Sequence, residues 1–189
     1  MAPDMNLPQE LGLAYLVSET LLRFMRRSSG DAKAADRGSL ALLWSAIGCG
    51  VAIGMISTRL FPFAGFQLST LALQLAVAVF AAALLLRWWA ILVLGKFFTV
   101  DVAIASDHRL VMRGPYRLLR HPSYTGMMLA FAAFAVTLQN WISIIGVLVP
   151  ISLALAFRIR IEEAALTKAF GDDYRRYSST TKRLIPGVL

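Results

Sequence analysis

The chain has 189 residues, 58% of them hydrophobic and only 16% charged, with a mean hydropathy of +0.64. Soluble domains run at roughly 45–50% apolar and about a quarter charged, so this composition excludes an ordinary water-soluble globule. The net charge of +8 invites a nucleic-acid reading, but Asp, Glu, Lys and Arg are absent from Gly38–Thr58 (21 residues), Leu60–Leu86 (27) and His121–Phe157 (37).

Runs of that length are what a hydrocarbon core of about 30 Å selects, so the chain reads as a multi-span, all-α membrane bundle of about five helices. The amino terminus carries Asp4 and Glu10 and no base before Arg23, unlike the positive region of a cleavable signal peptide. The first apolar segment, Leu7–Met25, is therefore expected to be retained. Glu19 and Arg23 interrupt it, four apart and placed to pair on one helix face. Ser28–Gly38 is a polar loop, Ser39–Thr58 a second span, and Leu60–Phe66 an aromatic turn broken by Pro62 and Gly65.

Cys49, the single cysteine, reads as a small packing residue between Gly48 and Gly50. It excludes a disulfide framework or a multi-thiolate metal site, and no metal is expected. Gln67–Gly95 would rise about 43 Å, beyond the hydrocarbon, and Arg87-Trp88-Trp89 is expected to mark its crossing into the headgroup layer. Gln139-Asn140-Trp141 divides the 37-residue stretch into a helical hairpin, with a kink expected at Pro150.

Seventeen of the 19 bases follow the first, third and fifth spans, and the turns at Leu60–Phe66 and Gln139–Trp141 hold none. The positive-inside rule then places the amino terminus outside and the carboxyl terminus in the cytoplasm. Topology and contact with anionic lipid account for the basic excess without nucleic acid. The chain reads as one integral-membrane domain, with three spans in 1–95 and a second half in 96–189 that holds the helical hairpin and the carboxyl-terminal cytoplasmic helix.

Two cytoplasmic segments hold most of the polar chemistry. Lys96–Tyr124 carries both histidines, His108 and His121, with turn signals at Gly114-Pro115 and His121-Pro122. The bland reading is a basic interfacial loop whose proline opens a helix. In the second segment, Arg158–Tyr177, Arg158 and Glu162 stand four apart. They suit either a snorkelling arginine with an ion pair or a functional pair facing the bundle interior. Successive carboxylates at Glu162 and Glu163, beside an anionic surface, call for cationic partners.

Gly114-Pro-Tyr-Arg-x-x-Arg-His-Pro-x-Tyr-x-Gly126, then Asn140, then Arg158 with Glu162-Glu163-x-x-Leu-x-x-x-Phe-Gly-x-x-Tyr-x-x-Tyr177, resembles the isoprenylcysteine carboxyl methyltransferase family. The resemblance implies an integral-membrane enzyme that uses S-adenosylmethionine. It also implies a cytoplasmic cofactor pocket formed by the loop before span four and the helix after span five. Cofactor contacts would fall on His108, Arg109, Leu110 and Val111, on Tyr116, on His121, Pro122, Ser123 and Tyr124, and on Glu162. Arg158 matches the position that handles the substrate carboxylate. Asp101 stands where the family usually has glutamine and is left out of this set.

The implied reaction is O-methylation of a lipophilic carboxylate such as a prenylated cysteine, by a compact prokaryotic member in the inner membrane. The acceptor would be a lipophilic small molecule or a lipidated protein among membrane lipids. N-methylation of phosphatidylethanolamine, S-methylation of a thiol, and membrane binding without turnover are the alternatives. A carboxylate acceptor is already ionised at neutral pH, so the chemistry asks for alignment and exclusion of water rather than a general base.

Overall fold

In the computed structural model, residues 6–25, 33–34, 38–98, 103–104 and 109–184 are described. Six helices carry the fold: α1 (Leu7–Met25), α2 (Ser39–Leu60), α3 (Thr70–Leu94), α4 (Pro122–Thr137), α5 (Trp141–Phe170) and α6 (Asp172–Thr180). Short 3-10 turns stand at Pro62–Ala64, Gly95–Phe97 and Gly114–Arg117. A two-residue antiparallel pair, Lys33–Ala34 with Ala103–Ile104, joins the segments that follow α1 and α3. The class is otherwise all-α, as expected.

Among the described residues, three helices are long and apolar enough to cross a bilayer: Ser39–Leu60, the run Thr70–Phe97, and Trp141–Phe170. The other two expected spans differ for separate reasons. α1 carries Glu10, Glu19 and Arg23, and the 16 residues of α4 rise only about 24 Å. α4 needs little lipid-facing surface, because 11 of its residues are buried as it packs against α3, α5 and α1. The core forms around it, with Phe131, Phe134, Met127 and Ala130 meeting Tyr15, Phe80, Val147 and Leu155.

Small residues set the helix spacing. A Cβ on Gly54 of α2 would stand 2.6 Å from Val147 Cγ2, and one on Gly146 of α5 would stand 2.7 Å from Ile53 Cγ2. The Ser143 hydroxyl also donates to the Gly54 carbonyl at 2.7 Å. Close backbone approach of this kind drives association where lipid removes the hydrophobic difference between helices. α5 continues through Pro150, whose missing N–H leaves the Gly146 carbonyl without its helical donor; that carbonyl lies against Gly50. A Cβ on Gly126 of α4 would stand 2.6 Å from the Ala83 carbonyl and 2.9 Å from the Arg87 amide of α3.

The base-free turns are tied together at one end of the bundle. The Phe66 amide donates to the Gln139 carbonyl at 2.9 Å, and the Asn140 amide group donates to the Phe61 carbonyl at 2.9 Å. Asn140 also caps α5 by accepting from Ser143 N.

Arg87 is turned into the bundle: it is 5% exposed, because its guanidinium pairs with Glu19 of α1 through Nε (2.5 Å) and Nη2 (2.8 Å). Glu19 thus takes a partner on α3, since a carboxylate inside an apolar bundle gains most from a fully buried bidentate guanidinium; the side chain of Arg23 lies outside the described residues. Cys49 is exposed on α2 and does not pack.

Candidate active site

The site is built at the end of the bundle opposite those turns. Gly114 sits at φ 58°, a conformation that favours glycine, and it opens the 3-10 turn that buries Pro115 and Tyr116. The chain then runs beside the carboxyl-terminal segment. Lys182 N donates to Leu118 O at 3.0 Å, Arg120 N to Lys182 O at 2.7 Å and His121 N to Arg183 O at 3.1 Å. His121 enters α4 at φ −126°, ψ 57°, and Pro122 begins the helix, where its fixed φ and missing N–H cost nothing.

Arg158 lies 17 residues beyond Trp141 in α5, a rise of about 26 Å that brings it to the far edge of a hydrocarbon layer. It is 3% exposed. Its Nε donates to the Tyr124 hydroxyl at 2.8 Å and its Nη1 to the Ser39 hydroxyl at 3.0 Å. Tyr124 in turn donates to Glu162 Oε2 at 2.8 Å. Tyr124 therefore stands between Arg158 and Glu162, so the spacing of four that suggested a simple ion pair holds a three-membered relay.

His121 is 4% exposed and its ring stacks on Tyr124, centroids 5.6 Å apart. Its Nδ1 is 3.9 Å from Glu162 and its Nε2 3.3 Å from Glu163. Glu163 is the hub on this side: Arg120 Nε reaches it at 2.9 Å and Arg183 Nη2 at 2.9 Å. Burial alone would push its carboxyl up, but hydrogen bonds from His121, Arg183 and Arg120 together outweigh that and hold it down at about 2. Arg120 also donates to the Ser178 and Thr181 carbonyls, fastening α6 to the loop.

Tyrosines close the back of the site. Tyr177 donates to the Tyr116 carbonyl at 2.8 Å, and burial pushes its own hydroxyl up to about 12. Burial, then the nearby Glu162 carboxylate, raises Tyr116 well above the usual phenol range. Tyr174 is raised as well, by burial and then by Glu163, and its buried hydroxyl has no hydrogen-bond partner among the described residues.

Beside the relay lies a small cavity of about 50 Å³ whose polar lining is Arg158, Tyr124, Ser123, Arg87 and Glu19. Leu22, Leu40, Leu43, Trp44, Phe98 and Met127 line the rest. An arginine beside apolar side chains is the chemistry that suits an anionic head group, and a space of about 50 Å³ admits the head alone. On the other side, the Glu162 carboxylate is 31% exposed beside Tyr116 and Tyr124, which suits a cationic ligand with aromatic surface.

Of the residues expected from sequence, Tyr116, His121, Tyr124, Glu162 and Arg158 come together. Pro122 is buried in the first turn of α4, and Ser123 turns toward Arg87. Arg109 is exposed and Leu110 and Val111 are partly buried on the approach to the 3-10 turn. His108 and Asp101 lie outside the described residues. Sequence reasoning missed Glu163, Arg120 and Arg183 as a cluster, Ser39 as a partner of Arg158, and the Glu19–Arg87 pair. The signal for that pair was present: Glu19 and Arg87 are charges set in long apolar segments, and each needs a partner.

Residues 74–168, half of the chain, match the isoprenylcysteine carboxyl methyltransferase (ICMT) family. The chain belongs to this family. It is 36% identical over 106 residues to protein-S-isoprenylcysteine O-methyltransferase B of Arabidopsis thaliana, covering 55% of this chain and 54% of the relative. With protein-S-isoprenylcysteine O-methyltransferase of Dictyostelium discoideum it is 39% identical over 83 residues, 44% of this chain and 35% of the relative. The chain spans about half the length of the Arabidopsis relative.

The solved structure of the eukaryotic intramembrane Ras methyltransferase ICMT superposes with a TM-score of 0.66 over 96% of this chain and 68% of that one, at 22% identity. The ICMT membrane fold is thus shared across nearly the whole chain, amino-terminal helices included, and this chain is an integral membrane protein.

Proposed function

We propose that this ICMT-family chain transfers a methyl group from S-adenosylmethionine to the carboxylate of a lipophilic acceptor, typified by a prenylated cysteine, at the membrane surface. The observation that carries this reading is the relay Arg158–Tyr124–Glu162 at the head of an apolar cavity. When bound, S-adenosylmethionine supplies an electrophilic methyl group on a cationic sulfur. Glu162 and the faces of Tyr116, Tyr124 and His121 fit that cationic partner, with cation–π contacts contributing roughly 0.5–2 kcal/mol each. The buried Tyr174 hydroxyl, without a hydrogen-bond partner among the described residues, is a further donor near Glu163 and Glu162.

Arg158 orients the acceptor. Tyr124 and Ser39 hold its guanidinium plane, and a planar guanidinium positions a carboxylate where lysine offers only a point charge. Trp44, Leu43 and Met127 exclude water from the guanidinium. No residue need remove a proton, because the acceptor oxygen is already anionic. Seventeen of 19 bases follow the first, third and fifth expected spans, which supports an amino terminus outside and this site in the cytoplasm, with the whole chain acting as one domain.

The test is a pair of substitutions in purified protein. Arg158→Ala is expected to keep cofactor affinity and folding while losing most turnover, and Arg158→Lys to recover only part. Near-normal turnover in stably folded Arg158→Ala would remove the carboxylate-orienting role.

A further inference from the structure

Glu19 lies in α1, 55 residues before the start of the family match at residue 74, yet it reaches the site. It is 6% exposed and lines the cavity beside Arg87. Arg87 gives Nε and Nη2 to the two oxygens of Glu19. Its remaining nitrogen, Nη1, points the other way and donates to the Ser123 hydroxyl at 2.8 Å and to the Ser123 carbonyl at 3.2 Å. Ser123 is adjacent to Tyr124, whose hydroxyl receives Arg158 Nε.

A buried guanidinium needs acceptors for all its nitrogens, so what marks this pair is where the third one goes. Here the third nitrogen of the guanidinium is committed to the first turn of α4, the turn that presents Tyr124 to both Arg158 and Glu162. Neighbouring contacts brace the same junction, because Trp88 Nε1 donates to the Ser18 hydroxyl at 2.8 Å.

We propose that Glu19 is a positioning residue for methyl transfer: it holds Arg87 against Ser123 and so fixes where Tyr124 and Arg158 meet the acceptor. This rests on the methyltransferase reading above. It makes the first helix part of the working site rather than an anchor. Removing one partner of a buried pair leaves an uncompensated charge, whereas removing both charges does not. The two roles therefore separate in the doubly neutral variant.

The experiment compares wild type, Glu19→Gln, Arg87→Gln and the double variant Glu19→Gln/Arg87→Gln in lipid nanodiscs, with Glu10→Gln on the exposed start of α1 as control. Turnover is measured with methyl-labelled S-adenosylmethionine and a farnesylcysteine analogue, thermal stability by melting, and amide exchange at residues 122–125 by mass spectrometry. Expected is that the double variant regains wild-type melting but keeps kcat roughly 10–100-fold down, with the acceptor KM within about threefold, as misplacement of a reacting group implies. Exchange at 122–125 should be at least about tenfold faster, while the α2–α5 seam keeps its protection.

Recovery of turnover together with stability in the double variant, or unchanged exchange at 122–125, overturns the proposal. If the single variants do not fold, the double variant alone decides. If wild type transfers no methyl group to this acceptor, the methyltransferase reading fails by itself, and exchange at 122–125 still decides whether Glu19 fixes that turn.

Discussion

Glu163→Gln tests the electrostatic hub that holds the carboxyl-terminal segment against the site. The carboxylate accepts from Arg120, His121 and Arg183, and it lies at about 2 against an ordinary 4.5. That gap corresponds to about 3 kcal/mol at roughly 1.4 kcal/mol per pH unit. The folded value is the lower one, so the stabilisation is fully present above about pH 4.5 and is lost as pH falls from there toward 2. Loss of about 3 kcal/mol corresponds to about a hundredfold change in local opening.

The assay is amide exchange of the segment 178–184 in nanodiscs, corrected for intrinsic rates. Glu163→Gln should lower protection there by about a hundredfold at pH 7. Wild type should lose a comparable factor between pH 4.5 and 2. Glu162→Gln should leave this segment within threefold of wild type, because Glu162 is hydrogen-bonded to Tyr124 and not to residues 178–184. Protection in Glu163→Gln within threefold of wild type at pH 7 would refute the hub.

Gly126→Ala should cost about 1–3 kcal/mol, since its Cβ meets the Ala83 carbonyl and Arg87 amide of α3 with nothing flexible to yield. Melting in detergent checks this, and an unchanged midpoint would contradict the close α3–α4 seam. For topology, exposed Cys49 is first replaced by serine. A cysteine at Ala64 should then react with an impermeant maleimide from outside and one at Ser178 only from the cytoplasm; labelling of Ala64 from the cytoplasmic side would reverse the orientation.

Much of the fold was legible because long apolar runs and their breakers are local signals. Leu7–Met25 is a helix with the expected bounds, Ser39 begins the second, and Gln139-Asn140 turns the hairpin into α5. The site loop and the helix after Arg158 stood out through the motif resemblance, since by composition alone they read as a basic interfacial loop and an amphipathic surface helix. What spacing on one helix does not reveal is a partner on another: Glu19 takes Arg87, 68 residues away, and Glu163 gathers Arg120 and Arg183 from separate segments. Tyr124 between Arg158 and Glu162 was hidden for the same reason. The Gly50-x-x-x-Gly54 seam was present in the sequence as a small-residue spacing, though only the fold shows that it faces α5.

The central claim is methyl esterification, and the most direct measurement is the chemical stability of the product. Purified protein is incubated with methyl-labelled S-adenosylmethionine and either a farnesylcysteine analogue or membrane lipid. Label released by mild base from the farnesylcysteine product, and absent with Arg158→Ala, is the predicted result. Label recovered instead as base-stable methylamine in lipid or as volatile thioether would contradict a carboxylate acceptor.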